Sequence, residues 1–212
     1  MSALPDFAPA PEHRAPVCQV AYAGRIDYAV ALAWQRALLA ARAEGIVPDT
    51  LLLLEHPPTI TLGRRASRAD ILVDATLLVA RGVAVYETNR GGLVTYHGPG
   101  QLVGYAICDL RALTGGDVVR YVTGLEETVI RVLAGYAITG ERDPAHRGVW
   151  VGNAKIAAVG VAISRGVTMH GFALNVQPDL AAFGWIRPCG IADRGVTSMV
   201  ALLGRQVPLA AC

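Results

Sequence analysis

The sequence predicts a mixed α/β domain of the α+β type, with helices packed on a mixed β-sheet. Two stretches, residues 26–45 (IDYAVALAWQRALLAARAEG) and 115–136 (GGDVVRYVTGLEETVIRVLAGY), repeat apolar residues at the helical period. Most of the remainder breaks into short apolar and β-branched runs bounded by Gly and Pro. Strict β-α-β alternation is missing and no segment repeats, which points to a mixed sheet and not an all-parallel one.

The elements follow in order. Residues 1–16, rich in Pro and Ala, are expected to form a mobile tail, leaving 17–212 as a single catalytic-sized domain. A strand is predicted at 17–22, then the first long helix, with Asp27 placed to cap it and Gly45 at its end. DTLLLLEHPPTITLG, residues 49–63, reads as a buried strand, a Pro-Pro corner and a second short strand. VDATLLVARG (73–82) predicts a short helix and VAVYET (83–88) a strand. Residues 89–110, NRGGLVTYHGPGQLVGYAICDL, hold two strand-like pieces around the turn Gly98-Pro99-Gly100. The second long helix follows. GVWVG, a Gly152-Asn153 turn, KIAAVGVAI and VTMHGFALNV then predict three strands, before a short helix near Asp179, a loop holding Cys189 and a last helix in TSMVALLG.

Composition narrows the class. With 53% hydrophobic and 17% charged residues the chain is a globular one. A net charge of +2 without a basic cluster gives no reason to expect nucleic acid as a partner. No apolar run reaches 18 residues and no basic-then-apolar leader opens the chain, so neither membrane nor secretion is expected and the cytoplasm is. The four cysteines are widely spaced, which argues against a structural zinc or C-x-x-C redox site; no metal and no cofactor is expected. Cys18 and Cys108 lie in apolar runs and read as small core residues, whereas Cys189 lies between Pro188 and Gly190 in a loop.

Two residues carry most of the chemical interest. Of 19 basic residues one, Lys155, is lysine, which leaves 18 arginines. Arginine stays protonated, while a lysine can give up its proton and act as a base. The apolar run after Lys155 implies little water around its ammonium. A thiol near ~8.5 and an amine near ~10.4 are both unreactive at neutral pH unless perturbed, and a Cys189–Lys155 pair would perturb both. A histidine, His97 or His170, is the alternative partner, although each reads more simply as a buried, hydrogen-bonded strand residue. The glycine-rich run at 91–100 fits neither G-x-G-x-x-G nor G-x-x-x-x-G-K-S/T, so it is not a phosphate loop of those kinds. Arg90 reads equally as an anion ligand, for instance for a phosphopantetheine phosphate, and as half of a salt bridge.

RGGLVTYHGPGQLVGY, GVWVGNAKIAAVGVAI, VTMHGFALNV and IRPCGI followed by TS, together with HPPTITLGRRA, closely resemble the lipoate-protein ligase B family, over roughly residues 50–203. The resemblance implies the catalytic-domain fold of biotin and lipoate protein ligases. It also implies transfer of an octanoyl or lipoyl group from acyl carrier protein to a lysine of lipoyl domains, those of the 2-oxoacid dehydrogenase complexes and the glycine cleavage H protein. By position it makes Cys189 the acyl-thioester nucleophile and Lys155 its base. It assigns substrate binding to Arg90, Gly91, Gly92, Leu93, Val94, Thr95, Tyr96 and His97, to Ala158, Val159 and Gly160, and to Gly171, Phe172 and Ala173. Leu93 departs from the family pattern, where a polar residue is common. The expected enzyme is a monomer and uses no ATP. An ATP-dependent ligase, a thioesterase and a non-enzymatic acyl-binding module are the competing readings.

Overall fold

The computed structural model describes residues 17–187, 194–209 and 212. The expected tail, residues 1–16, and Cys189 lie outside them. The strands are β1 (Cys18–Arg25), β2 (Asp49–Glu55), β3 (Thr59–Leu62), β4 (Ala84–Glu87), β5 (Val94–His97), β6 (Gln101–Ile107), β7 (Glu141–Arg142), β8 (Val149–Val151), β9 (Ala154–Ser164), β10 (Val167–Asn175) and β11 (Gly195–Val196). The helices are α1 (Tyr28–Ala43), α2 (Ala75–Ala80), α3 (Leu110–Thr114), α4 (Val118–Ala134) and α5 (Met199–Leu203). The main sheet runs β1-β2-β6-β10-β9-β8-β7, and β11 pairs with the start of β9. A small sheet, β4-β3-β5, stands beside it. Parallel pairs (β1 with β2, β3 with β4) occur beside antiparallel ones, so the fold is the mixed α/β one that the sequence predicts.

The two long amphipathic helices cover opposite faces of the main sheet. Ala31, Trp34 and Leu38 of α1 pack with Leu52, Leu54, Val103, Ile107 and Ala173. Tyr121, Leu125, Val129 and Leu133 of α4 pack with Leu102, Ala106, Ile156 and Leu174 on the other face. Successive residues of β6 and β10 therefore serve the two cores in turn, which is why both strands are buried along their whole length. Asp27 does occupy the cap position of α1, but its side chain makes no cap bond. Asp74, Asp117 and Ser198 do cap their helices through the side chain. The helix expected near Asp179 is a 3₁₀ segment, Leu180–Trp185. α3 and the two-residue strands β7 and β11 were not foreseen, because elements that short show no period. Cys108 is buried as expected, but Cys18 is exposed. It begins the edge strand β1, whose N-terminal residues alternate between exposed and half-buried, so only one face of that strand meets the core.

β10 and β6 approach too closely at Gly171 for a side chain there. A Cβ built on Gly171 would collide with the carbonyl oxygen of Gly104 on the neighbouring strand, which is backbone and cannot swing aside. Gly171→Ala is expected to destabilise the protein by about 1–3 kcal/mol. Urea unfolding that shows a lower midpoint at unchanged m-value would confirm it, and a wild-type midpoint would refute it.

Candidate functional site

A cavity of about 390 Å³ lies over the α1-side face of the sheet. Its floor is set by strand register. Val103, Ala173 and Ala158 lie side by side across β6, β10 and β9, and Tyr105, Gly171 and Gly160 form the next row; all six border the cavity. Gln101 and Asn175 form the row before them, joined by a 3.0 Å hydrogen bond from Gln101 Nε2 to Asn175 Oδ1. The floor thus passes from polar amides, through alanines, to glycines beside a tyrosine. Small side chains in the middle of a sheet face leave a trough where larger ones would fill it.

Lys155 borders the same cavity, and a β-bulge puts it there. Val149 pairs with Ala157 but Trp150 pairs with Lys155, so Ile156 is an extra residue in β9. Without it, alternation would place Lys155 on the face of Ala157 and Val159, toward α4. With it, Lys155 shares the face of Ala158 and Gly160, the kind of re-aiming that bulges produce near functional sites. Lys155 Nζ donates to the carbonyl oxygen of Arg147 at 3.1 Å and stands 4.7 Å from the centre of the Trp150 ring. The lysine is half-buried, not desolvated as its sequence neighbours imply. The apolar residues after it run away into the sheet, while its own surroundings are the 145–147 loop, Trp150 and β11.

β5 and the segment that leads into it form the facing wall. Arg90, Gly92, Leu93, Val94, Thr95 and His97 border the cavity, as do Val159 and Phe172. Gly91 and Tyr96 do not. Gly91 donates its N–H to Val161 O at 2.9 Å, and a Cβ on Gly160 would come within 2.9 Å of the Gly91 oxygen, so this glycine pair seats the wall on the floor. Tyr96 turns away and packs edge-on against Phe183 and Trp185. Arg90 is buried, with Nη2 donating to Thr61 O at 2.7 Å and Nη1 to Gly91 O at 3.1 Å. These bonds use its guanidinium to hold the wall, while the side chain still borders the cavity.

His97 and His170 are the buried, hydrogen-bonded strand residues expected. Gln101 uses its amide N–H groups on Tyr96 O and Asn175, so its Oε1 accepts from His97 Nδ1 at 2.8 Å. His170 Nε2 lies 2.7 Å from Asn89 Oδ1. Beside Tyr28 and His97, His56 Nδ1 donates to Ile26 O at 2.6 Å, which leaves Nε2 to accept from the Tyr105 hydroxyl at 2.7 Å. His56, Tyr28, which also borders the cavity, and Tyr105 went unrecognised in the sequence, since Tyr28 reads as one more apolar position of α1. Ala145, His146 and Arg147, which border the mouth, carry no sequence signal either. Among the described residues no cluster of ligating side chains could hold a metal, and the bordering residues include no phosphate-cradling loop.

Burial pushes the histidine pKa values down, to about 3 for His97, where a neighbouring His56 adds to the effect, and to about 4 for His56 and for His170. All three are neutral near pH 7 and are poor proton acceptors there. In the unfolded chain each would titrate near ~6.5, so between that pH and about 4 unfolding takes up protons. Stability is therefore fully present above ~6.5 and falls as the pH drops toward 4. Urea titrations at pH 7 and pH 5 should show a lower midpoint at pH 5, and His97→Gln should reduce that difference; equal midpoints would contradict it.

Comparison with known proteins identifies the family of the chain. Residues 27–212 match the lipoyl protein ligase A/B catalytic domain family. An octanoyltransferase of Chloroflexus aggregans is 58% identical over 194 residues, which cover 90% of this chain and 87% of that one. The bipartite lipoate protein ligase of Thermoplasma acidophilum superposes with a TM-score of 0.61 at 15% identity, over 91% of this chain and 78% of that one. Biotin protein ligase of Aquifex aeolicus, solved with biotin and ATP, does so with a TM-score of 0.53 at 16% identity, over 91% and 64%. At such identities the two ligases show a shared fold and nothing finer. With a family match over most of its length and a relative at 58% identity, this chain belongs to the lipoyl protein ligase A/B catalytic domain family.

Proposed function

We propose that the protein transfers an octanoyl, or lipoyl, group from acyl carrier protein to the ε-amine of a lysine on a lipoyl domain, through a thioester on Cys189. The acceptors are the lipoyl domains of 2-oxoacid dehydrogenase complexes and the glycine cleavage H protein, and the enzyme acts as a cytoplasmic monomer without ATP. The observation that carries this reading is the bulge at Ile156, which sets the single lysine of the chain on the same face as a trough of alanines and glycines. The name of the Chloroflexus aggregans relative supplies the acyl group. The Thermoplasma acidophilum ligase, described together with its E2 lipoyl domain, supplies the class of acceptor.

The chemistry balances as two acyl transfers. Lys155, as the free amine, takes the Cys189 thiol proton. The thiolate adds to the carrier thioester, the carbon–sulfur bond to the carrier breaks, and the carrier sulfur leaves with the proton from Lys155. The acceptor lysine amine then attacks the enzyme thioester, its surplus proton passing through Lys155 to the departing Cys189 sulfur. Burial leaves His97 and His170 poorly basic, which disfavours either of them as the base for Cys189. Arg187 and Arg194 flank the segment that holds Cys189. Arg187 N donates to Asp70 O at 2.8 Å, and Arg194 lies 4.9 Å from the centre of the Trp150 ring, the ring that also meets Lys155. The acyl chain is expected along Ala158, Gly160, Gly171 and Ala173, with Val159, Phe172 and the Arg90–His97 segment around it. Longer chains gain ~0.8 kcal/mol per buried CH₂ until they meet a closed end, and Tyr105 stands at the inner row.

Mixing the protein with octanoyl carrier protein should add one octanoyl mass, located on Cys189 and lost in Cys189→Ala. Absence of any covalent adduct would overturn the mechanism in favour of direct or ATP-dependent transfer. Lys155→Arg puts a permanently protonated side chain in place of the proton acceptor, so turnover should fall about 10²–10⁴-fold with the fold intact; near-normal turnover would remove Lys155 from its role.

A further inference from the structure

Glu126 is the one carboxylate of α4 that is fully buried, 1% exposed, in a helix whose other buried residues are Tyr, Leu and Val. A buried charge is retained only where something answers it. Its Oε2 faces Arg147 Nη1 at 3.4 Å and Arg142 Nε at 3.7 Å. Its Oε1 accepts from the backbone N–H of Gly148 at 2.9 Å. That N–H belongs to the same peptide unit as the Arg147 carbonyl, which accepts from Lys155 Nζ at 3.1 Å. A trans peptide is planar and points its C=O and N–H in opposite directions. One peptide plane is therefore gripped from both sides, by Glu126 behind it and Lys155 in front.

The chain is built to hold that plane. Gly148 has φ +122, a conformation that side chains rarely adopt, and a Cβ there would collide with the Ala157 carbonyl oxygen and approach Lys155 Cε to 3.4 Å. A carboxylate on the N–H also polarises the peptide, which makes its oxygen a stronger acceptor for the lysine. We infer that Glu126 is a positioning residue for Lys155, acting through the Arg147–Gly148 peptide; its kinetic consequence rests on the proposed role of Lys155.

The single lysine makes a direct test available. Full-length protein grown with ¹³Cε-lysine should give one lysine signal, displaced by the Trp150 ring that lies 4.7 Å from Nζ. In Glu126→Ala the signal should move toward the position of an exposed lysine, and kcat for octanoyl transfer should fall about 10- to 100-fold while the KM for the acyl donor changes less than about threefold. Glu126→Gln keeps an oxygen for the Gly148 N–H and should hold the signal near its wild-type position with kcat largely rescued. Should Glu126→Ala fail to fold, Glu126→Asp keeps the charge but draws the acceptor back, and the same displacement is expected. A folded Glu126→Ala or Glu126→Asp protein whose lysine signal stays in place overturns the inference. A moved signal combined with full activity of Lys155→Arg would instead leave the positioning intact and overturn the acyl-transfer role of the lysine.

Discussion

One extra residue in a strand decides what this sheet can do. Period-2 alternation makes the face of each strand residue a matter of parity, and Ile156 changes the parity of β9 between Ala157 and Lys155. On one side of the bulge, Ile156 and Ala157 fill the α4-side core. Before it, Lys155 turns to the cavity, onto the face that Ala158 and Gly160 also occupy. The trough itself depends on register across three strands, because Ala158 meets Ala173 and Gly160 meets Gly171 only in the observed pairing. A slip by one residue would fill the trough with Val159 and Phe172 and send the small residues to the core.

Several of the polar groups around the cavity are paired with one another. Thr61 receives Arg90 Nε and Nη2, Gln101 links His97 to Asn175, and His56 ties Tyr105 to the start of α1. Pairing counts at this depth, since each orphan costs about 1–3 kcal/mol. The outcome is a set of neutral, immobilised imidazoles and a fixed wall, with Lys155 half-buried at the mouth. That division is the one the proposed acyl transfer needs, with an apolar chain held at one end and a proton moved at the other.

Much of this was legible in the sequence, for reasons that differ by element. α1 and α4 announce themselves because one face of each meets a core over four turns or more. The hairpin of β9 and β10 does so through its apolar runs and intervening turn. Lys155 stood out by composition, and the Arg90–His97 run by its glycines. Illegible were the features fixed by distant partners: the exposure of Cys18 on an edge strand, the turning of Tyr96 onto Phe183, and the use of Arg90 on Thr61, 29 residues away. Glu126 looks in the sequence like any acidic residue of a helix, and only the approach of Gly148 from 22 residues further on gives it a buried partner. The bulge has no sequence mark at all, because Ile156 is as good a strand residue as its neighbours.

The most direct test is a crystal structure of the protein with a non-hydrolysable octanoyl-thioester analogue. The expected density places the alkyl chain over Ala158, Ala173, Gly160 and Gly171, with its methyl end toward Tyr105 and its carbonyl beside Lys155 Nζ. A chain bound elsewhere, or bound in this trough with the carbonyl at the Tyr105 end, would contradict a site organised by the turn of Lys155 onto this face.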